Sequence, residues 1–454
     1  MPAPSTGWFE SLQYRSIVIE ATVIPRDEHS VSRSNISNYA LKVLYRLRDA
    51  GYESYLVGGG VRDLLLGMEP KDFDVATAAT PEEVAETFRN CRLIGRRFRL
   101  AHVHFGREVI EVATFRGLSD VDDEPDEDDG ERVLENGRLV RDNIYGSLEE
   151  DAIRRDFTIN ALYYSIEDFG IRDFVGGVED IRQRRIRLIG DPRKRYQEDP
   201  VRMLRASRFA IKLDFDIAPD TFEPIAEMAG LLNEIPPARL FDEVLKLLMA
   251  GRGLRGFRHL EMLGLLSPLF PDTVRCLQQG KGREVIEQSL ANTDARIAEG
   301  KPVTPAFLFA ALLWPVYHQY LDEALAEGLP PALASDKAAD RSIERQINHI
   351  AIPRRFSAPM REIWRMQPRF ERMEGKRVLR FVEHRRFRAA YDFLLLREHE
   401  DPSLADQVRF WTDIQKEPEA EKILAAQPAK KPRARRRRRR SGQSAGGGDN
   451  AGGQ

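Results

Sequence analysis

Two carboxylates one residue apart, Asp72 and Asp74 in Asp-Phe-Asp-Val-Ala-Thr (72–77), have the most direct chemical consequence in this chain. On a strand their side chains share one face while Phe73 points to the other. Two adjacent negative charges repel unless a cation lies between them, and hard oxygen ligands suit Mg²⁺, with Mn²⁺ also accommodated. Two such ions roughly 3.5–4 Å apart activate an attacking hydroxyl and neutralise a leaving pyrophosphate. By itself an Asp-x-Asp pair fits a solvated strand end equally well, so the neighbouring residues have to decide.

A dozen residues upstream stands Gly58-Gly59-Gly60. Gly58 and Gly59 follow a short apolar strand and open a helix, where free backbone N–H groups and the helix dipole favour a phosphate. Arg62, in the first turn, would add a charged fork to a triphosphate. The spacing G-x-G-x-x-G is missing, which disfavours a dinucleotide-binding oxidoreductase.

The elements that must hold these residues are legible from periodicity. Ile36, Ala40, Val43 and Leu44 recur at helical spacing up to Gly51, and Tyr55-Leu56-Val57 reads as a strand. Val61 to Leu66 reads as a helix stopped by Gly67, and Phe73 and Val75 lie in the next strand. Thr80-Pro81-Glu82-Glu83 combines a capping hydroxyl, Pro at the first helical position and Glu at the third, which predicts a helix start. Leu100–Phe105 and Val109–Phe115 flank the turn Gly106-Arg107 as two strands. This is a small α/β unit on a mixed sheet. Beyond Gly190 the apolar spacing turns helical to about Ala426, so the fold class is α/β followed by all-α.

Two later segments carry charged residues in dense patterns. In Arg154-Arg155-Asp156-Phe157-Thr158-Ile159-Asn160-Ala161-Leu162, Arg155 is available for phosphate or ribose and Asp156 is a candidate third carboxylate beside the metal pair. Glu111, alone in the apolar strand Val109–Val112, competes for that place, although a hydrogen-bonded sheet residue is its commoner role. In Glu198-Asp199-Pro200-Val201-Arg202-Met203-Leu204-Arg205-Ala206, Asp199 is expected to cap a helix whose first residue is Pro200, with Arg202 and Arg205 one turn apart. Asp199 can accept from the exocyclic amine of adenine while Arg202 and Arg205 donate to ring nitrogens, so protein side chains would read a base edge without a template.

Residues 56–67 with 72–77, then 154–162, then 198–206, resemble in order three signatures of the class II tRNA nucleotidyltransferase and bacterial poly(A) polymerase family. The resemblance extends more weakly over most of residues 34–425. It implies a nucleotidyltransferase head with Asp72, Asp74 and Asp156 in the active site, followed by a helical neck, body and tail. The corresponding division is an N-terminal arm (1–32), head (33–190), neck for nucleotide and RNA recognition (191–255), RNA-binding body and tail (256–426) and a basic C-terminal segment (427–454). The implied substrates are ATP and RNA 3′ ends. Gly95-Arg96-Arg97-Phe98-Arg99-Leu100-Ala101-His102 resembles a segment of the poly(A) polymerase branch, whereas a CCA-adding enzyme is the alternative within the family. A catalytically silent RNA-binding module is the alternative outside it, which the intact acidic pair disfavours. His102 and His104, without partners in sequence, read as packing or hydrogen-bonding residues.

Composition limits the remaining classes. The chain has 454 residues with 42% apolar types, enough for two or three domains with a sizeable core. Only Cys91 and Cys276 occur, far apart, which excludes a disulfide scaffold and a cysteine-ligated zinc site and fits the cytoplasm. No secretory signal or membrane-length apolar stretch is evident. The net charge of -2 conceals a strong asymmetry, because residues 430–454 hold nine Lys or Arg and one Asp. The run Lys430–Arg440 suits sequence-independent contact with RNA phosphates, and the segment from 427 onward is expected to be disordered. Asp120–Glu131, with nine acidic residues in twelve, is expected to be a solvated loop.

Overall fold

A computed structural model describes residues 20–95, 99–117, 132–135, 138–142, 145–374 and 377–416. Arg96 to Phe98, the acidic loop Asp120–Glu131 and the basic run Lys430–Arg440 lie outside the described residues. In chain order the first elements are β1 (Thr22–Ile24), α1 (Asn38–Asp49), β2 (Ser54–Val57), α2 (Gly59–Leu65), β3 (Asp74–Thr77), α3 (Pro81–Thr87), β4 (Cys91–Ile94), β5 (Leu100–Phe105) and β6 (Glu108–Thr114). The hairpin β7 (Arg132–Glu135) and β8 (Arg138–Asp142) leads to α4 (Leu148–Arg154), β9 (Leu162–Ser165), β10 (Ile171–Asp173) and α5 (Gly177–Arg182).

Eight strands form one mixed sheet in the order β1-β10-β9-β2-β3-β6-β5-β4. Only β3 and β6 run parallel within it; the other neighbours are antiparallel. The central strand β2 is buried along its whole length, and its alternation sends Tyr55 and Val57 to the face where Ala76, Phe115, Tyr163 and the α4 residues Leu148 and Ala152 form a core. Thr80 and Glu83 form the expected capping box at the start of α3, each side chain accepting from the other residue's backbone N–H. At the head of α5 the buried Asp173 carboxylate accepts four successive backbone N–H groups, from Val175 to Val178.

The reading of residues 1–32 as an arm fails for its second part. Thr22–Ile24 is an edge strand paired to β10, Val31 is fully buried, and His29 Nε2 lies 2.9 Å from the Phe169 carbonyl. Three residues are too few to show an alternation in sequence.

After a short parallel pair, β11 (Arg185–Ile186) and β12 (Asp216–Ile217), every further element among the described residues is helical, as the periodicity predicts. Those that matter for the site are α6 (Pro192–Glu198), α7 (Val201–Leu213), α8 (Pro219–Met228) and α9 (Pro237–Leu248). Further helices continue to Met366. The chain divides into two compact units between Arg365 and Met366, so the stretch expected as one body and tail contains a unit boundary. In the second unit Phe370, Phe381, Phe387 and Trp411 pack edge-to-face and tilted, and the Trp411 indole N–H donates to the Phe370 carbonyl at 2.8 Å. No described helix is long and apolar enough to cross a membrane.

Candidate active site

The acidic pair sits where β3 begins. Asp74 is its first residue, so Asp72 and Phe73 precede the strand and are not part of it as the pattern had suggested. Both carboxylates nevertheless border one cleft of about 1200 Å³. Across the sheet Asp74 is in register with Glu111 on β6, and Glu111 with His102 on β5. A row of ionisable side chains therefore crosses three strands. His102 Nε2 lies 3.5 Å from Glu111 Oε1, too long for a good hydrogen bond.

Burial pushes the Asp74 carboxyl up to about 6, helped by the charges of Glu111 and Asp72 and opposed by Arg155. Negative charge here is under-compensated, which is the electrostatic condition a cation relieves. Among the described residues no three His, Cys, Asp or Glu groups converge tightly enough to cage an ion by themselves. A divalent ion held by Asp72, Asp74 and Glu111 would complete its shell with water and substrate oxygens, which is how Mg²⁺ is commonly bound. The donor set fits that role.

Asp156, expected beside the pair, is directed elsewhere. Its Oδ2 accepts from Arg205 Nε at 2.6 Å, and its Oδ1 accepts from the Phe157 N–H at 2.8 Å and Asn160 Nδ2 at 3.2 Å. Burial raises its carboxyl, but Arg205, Asn160 and the Phe157 N–H outweigh that and hold it below the usual carboxylate range. The place opposite Asp74 belongs to Glu111, the residue assigned in sequence to ordinary sheet bonding.

On the other side of Asp74 the charges are positive. The chain leaves β2 through Gly58 at φ +72° and ψ -135°, a conformation reserved almost entirely for glycine, and enters α2 at once. Gly59 and Gly60 are therefore helical, and α2 starts two residues before the expected Val61. A Cβ on Gly60 would lie 3.6 Å from the Asp72 carbonyl oxygen, so the glycine turn and the acidic pair are in contact through their backbones. Beside Gly58 stands Arg155, whose guanidinium donates to Asp151 Oδ2 at 3.0 Å and Tyr163 Oη at 2.8 Å.

Arg62 is not the free fork expected of it. It is buried, donates to Asp63 Oδ1 at 2.8 and 2.6 Å and to Asn160 Oδ1 at 2.5 Å, and stacks on Phe209. Arg62, Asn160, Asp156 and Arg205 thus form a continuous hydrogen-bonded chain from α2 to α7.

The base-reading candidates lie around the start of α7. Asp199 ends α6, and α7 begins at Val201 after Pro200, yet Asp199 Oδ1 still accepts from the Val201 N–H at 3.2 Å. Its other oxygen accepts from Arg239 of α9 at 2.6 Å. Arg202 donates to Glu198 Oε2 and to the Arg195 carbonyl, both at 2.7 Å. Arg62, Arg205 and Arg208 surround the Phe209 ring at 5.2, 5.4 and 4.7 Å. Burial and neighbouring arginines depress Arg195 and Arg208 against their acidic partners Glu198 and Glu243. Positive charge is crowded here as negative charge is crowded in the cleft.

Asp63, Asn160, Arg239 and Glu243 were missed by the sequence reading. Asp63 and Asn160 stand inside the motifs, but besides near neighbours each bonds a residue far away in sequence, Lys212 for Asp63 and Arg62 for Asn160.

Comparison with known proteins shows the family. A poly(A) polymerase head domain matches residues 54–187, a probable RNA and SrmB-binding site of polymerase A matches 214–277, and an arginine-rich polymerase A C-terminus matches 327–443. A poly(A) polymerase I from Salmonella typhi is 52% identical over 400 residues, covering 87% of this chain and 86% of the relative. The chain belongs to the poly(A) polymerase family. A CCA-adding enzyme from Geobacillus stearothermophilus is 41% identical over 210 residues, but the match spans only 46% of this chain and 48% of that enzyme. Among solved structures, the Bacillus stearothermophilus CCA-adding enzyme in complex with CTP is similar at a TM-score of 0.55 and 28% identity, over 84% of each chain. The family therefore shares a head and helical architecture with CCA-adding enzymes, while whole-chain similarity runs with the polymerases.

Proposed function

We propose that this chain extends RNA 3′ ends without a template, transferring AMP from ATP and releasing pyrophosphate. As a member of the poly(A) polymerase family it is a polynucleotide adenylyltransferase. The single observation that carries the mechanism is the setting of Asp74, where the charges of Glu111, in register with it on β6, and of Asp72 are opposed by that of Arg155. In the reaction the RNA 3′-oxygen bonds to the α-phosphorus of ATP, the bond from that phosphorus to the bridging oxygen breaks, and the hydroxyl proton passes to solvent. Bound Mg²⁺ or Mn²⁺ supplies activation of the hydroxyl and neutralisation of the leaving group.

Asp72, Asp74 and Glu111 hold the ions. Gly59 presents its backbone N–H to the triphosphate, Gly58 supplies the turn while its own N–H donates to the Leu162 carbonyl at 3.4 Å, and Arg155, fixed by Asp151 and Tyr163, sets its charge beside them. Arg62 and Asp156 are positioning residues: their bonds tie the glycine turn to α7. Asp199, Arg202 and Arg205 select adenine, with Arg239 holding the Asp199 carboxylate at its angle. The basic run Lys430–Arg440 tethers RNA through phosphate contacts, and the reaction takes place in the cytoplasm.

Purified protein is incubated with an unstructured RNA, a divalent cation and each nucleoside triphosphate separately. Long extension with ATP alone is expected. Short, CTP-dependent extension of tRNA ends would instead assign the chain to CCA addition, and no pyrophosphate release would make it an RNA-binding module.

A further inference from the structure

Arg195, on α6, takes no part in the mechanism above, yet its side chain touches both halves of the nucleotide site. That side chain is 15% exposed, and its two terminal nitrogens bond in different directions. Nη2 donates to the carbonyls of Arg154 and Arg155 at 2.7 and 2.6 Å, where α4 ends. Nη1 donates to Glu198 Oε2 at 2.8 Å, and that same oxygen accepts from Arg202 Nη1 at 2.7 Å. Arg202 Nη1 also donates to the Arg195 carbonyl at 2.7 Å, a second tie between the two residues. We infer that Arg195 is a positioning residue that couples base selection to alignment of the triphosphate. The state of Arg202 at the base edge reaches, through Glu198 and Arg195, the peptide that carries Arg155. This rests on the assignment above of Asp199 and Arg202 to the base and of Arg155 to the triphosphate.

A cation on the last carbonyls of a helix is a common cap, and that role alone needs only a charge near the surface. Arg195 is placed less favourably than that. Burial and the Arg202 charge both disfavour its cationic form, and its Nε is buried without a hydrogen-bond partner among the described residues. Its bonding is divided between the α4 carbonyls on one nitrogen and the shared Glu198 oxygen on the other. Beyond those carbonyls the geometry is tight. Arg155 is held at its carbonyl by Arg195 and at its guanidinium by Asp151 and Tyr163, and its Nη1 would lie 3.5 Å from a Cβ on Gly58. A shift of the Arg155 peptide therefore moves the charge beside the glycine turn. Misplacement by about 1 Å in such a site costs on the order of a hundredfold in rate. A base that fails to engage Arg202 leaves that guanidinium to Glu198, whose shared oxygen is then drawn away from Arg195. The wrong base is thus penalised in the rate of transfer and not only in binding.

The test measures AMP and CMP transfer to a short RNA by the full chain and by its Arg195→Gln and Arg195→Lys variants. Lysine keeps a charge for the α4 carbonyls but has one nitrogen where Arg195 uses two, so it caps the helix without bridging to Glu198. In both variants the ATP-to-CTP ratio of kcat should fall about tenfold, while the ratio of KM values changes by less than about twofold. In an Arg155→Lys background, adding Arg195→Lys should change the kcat ratio by less than about twofold, because the residue that Arg195 places has itself been altered. Should Arg195→Gln fail to fold, Arg195→Lys, its fold checked by thermal melting, decides alone. A kcat ratio in Arg195→Lys equal to that of the unmodified chain, or equal slowing with both nucleotides, would make Arg195 a helix cap and overturn the inference. An unmodified chain that discriminates only in KM would overturn it as well. No preference for ATP in the unmodified chain would instead refute the adenine assignment itself, a separate result.

Discussion

Replacing Asp156 by Asn separates two roles for a carboxylate near this site. In the structure Asp156 is an anion inside the fold, bonded to Arg205, Asn160 and the Phe157 N–H. Breaking a buried ion pair by removing one partner costs about 3–5 kcal/mol when both groups are dry. The Arg205 side chain retains 31% exposure, so water partly compensates it and the expected loss is about 2–3 kcal/mol. The pH dependence follows from the direction of the shift. Asp156 is held below its unfolded value, so its contribution is complete above the unfolded carboxylate range and is lost as pH falls through the folded value. Urea unfolding of parent and variant should therefore differ by about 2–3 kcal/mol near neutral pH and converge at strongly acid pH. Metal titrations of AMP incorporation provide the second readout. Asp156→Asn should leave the divalent requirement nearly unchanged, whereas Glu111→Gln should raise it by about ten- to a hundredfold. If Asp156→Asn instead keeps full stability and loses metal affinity, while Glu111→Gln does neither, the assignment of Glu111 as third carboxylate is wrong.

Other perturbations report on the remaining parts of the site. Asp74→Asn should abolish nucleotide addition yet stabilise the metal-free chain by about 1 kcal/mol, because it removes a charge that burial, Glu111 and Asp72 disfavour; activity assays and thermal scans check the pair of effects. Gly58→Ala forces a side chain into φ +72° and sets a methyl 3.5 Å from Arg155 Nη1, so a cost of about 1–3 kcal/mol and a raised KM for ATP are expected. Arg239→Ala releases the Asp199 carboxylate; discrimination between ATP and CTP, measured as the ratio of kcat/KM values, should fall by about tenfold while RNA affinity holds. Equal loss with both nucleotides would mean that Arg239 supports only the fold.

Features built from near neighbours were legible in the sequence. Thr80 and Glu83 announce α3 because a capping box is completed within four residues. The strand, glycine and helix order around Gly58 is local too, and so is the apolar spacing of the helices after Gly190. What escaped depends on pairing across long separations. Glu111 becomes important only because β6 lies parallel to β3 and brings it opposite Asp74, a register that no alternation pattern records. Asp156 looks like a catalytic acid until the fold delivers Arg205 from 49 residues away. Arg62 follows the same logic in part: next to a glycine turn it resembles a phosphate ligand, but Asn160 arrives from 98 residues away to take one donor while the adjacent Asp63 takes the others. The edge strand Thr22–Ile24 is defined by its partner β10 rather than by its own three residues.

The two charge populations explain why substrate and metal should bind as a unit. Asp74 is pushed toward its neutral form by burial and nearby carboxylates, while Arg195 and Arg208 are pushed toward theirs by burial and nearby guanidinium groups. The acidic row and these two arginines are each electrostatically unfavourable on their own, and neither group can discharge into the other because Arg155 and Asp156 are already committed to Asp151, Tyr163, Asn160 and Arg205. A triphosphate alone would satisfy the arginines but bring more negative charge to Asp74; a cation alone would satisfy the carboxylates but meet the field of Arg155. Together they relieve both. Linkage then requires that divalent metal tighten ATP and that ATP tighten the metal by the same factor. Asp74→Asn should collapse that factor toward one, even where ATP binding by the arginine compartment persists.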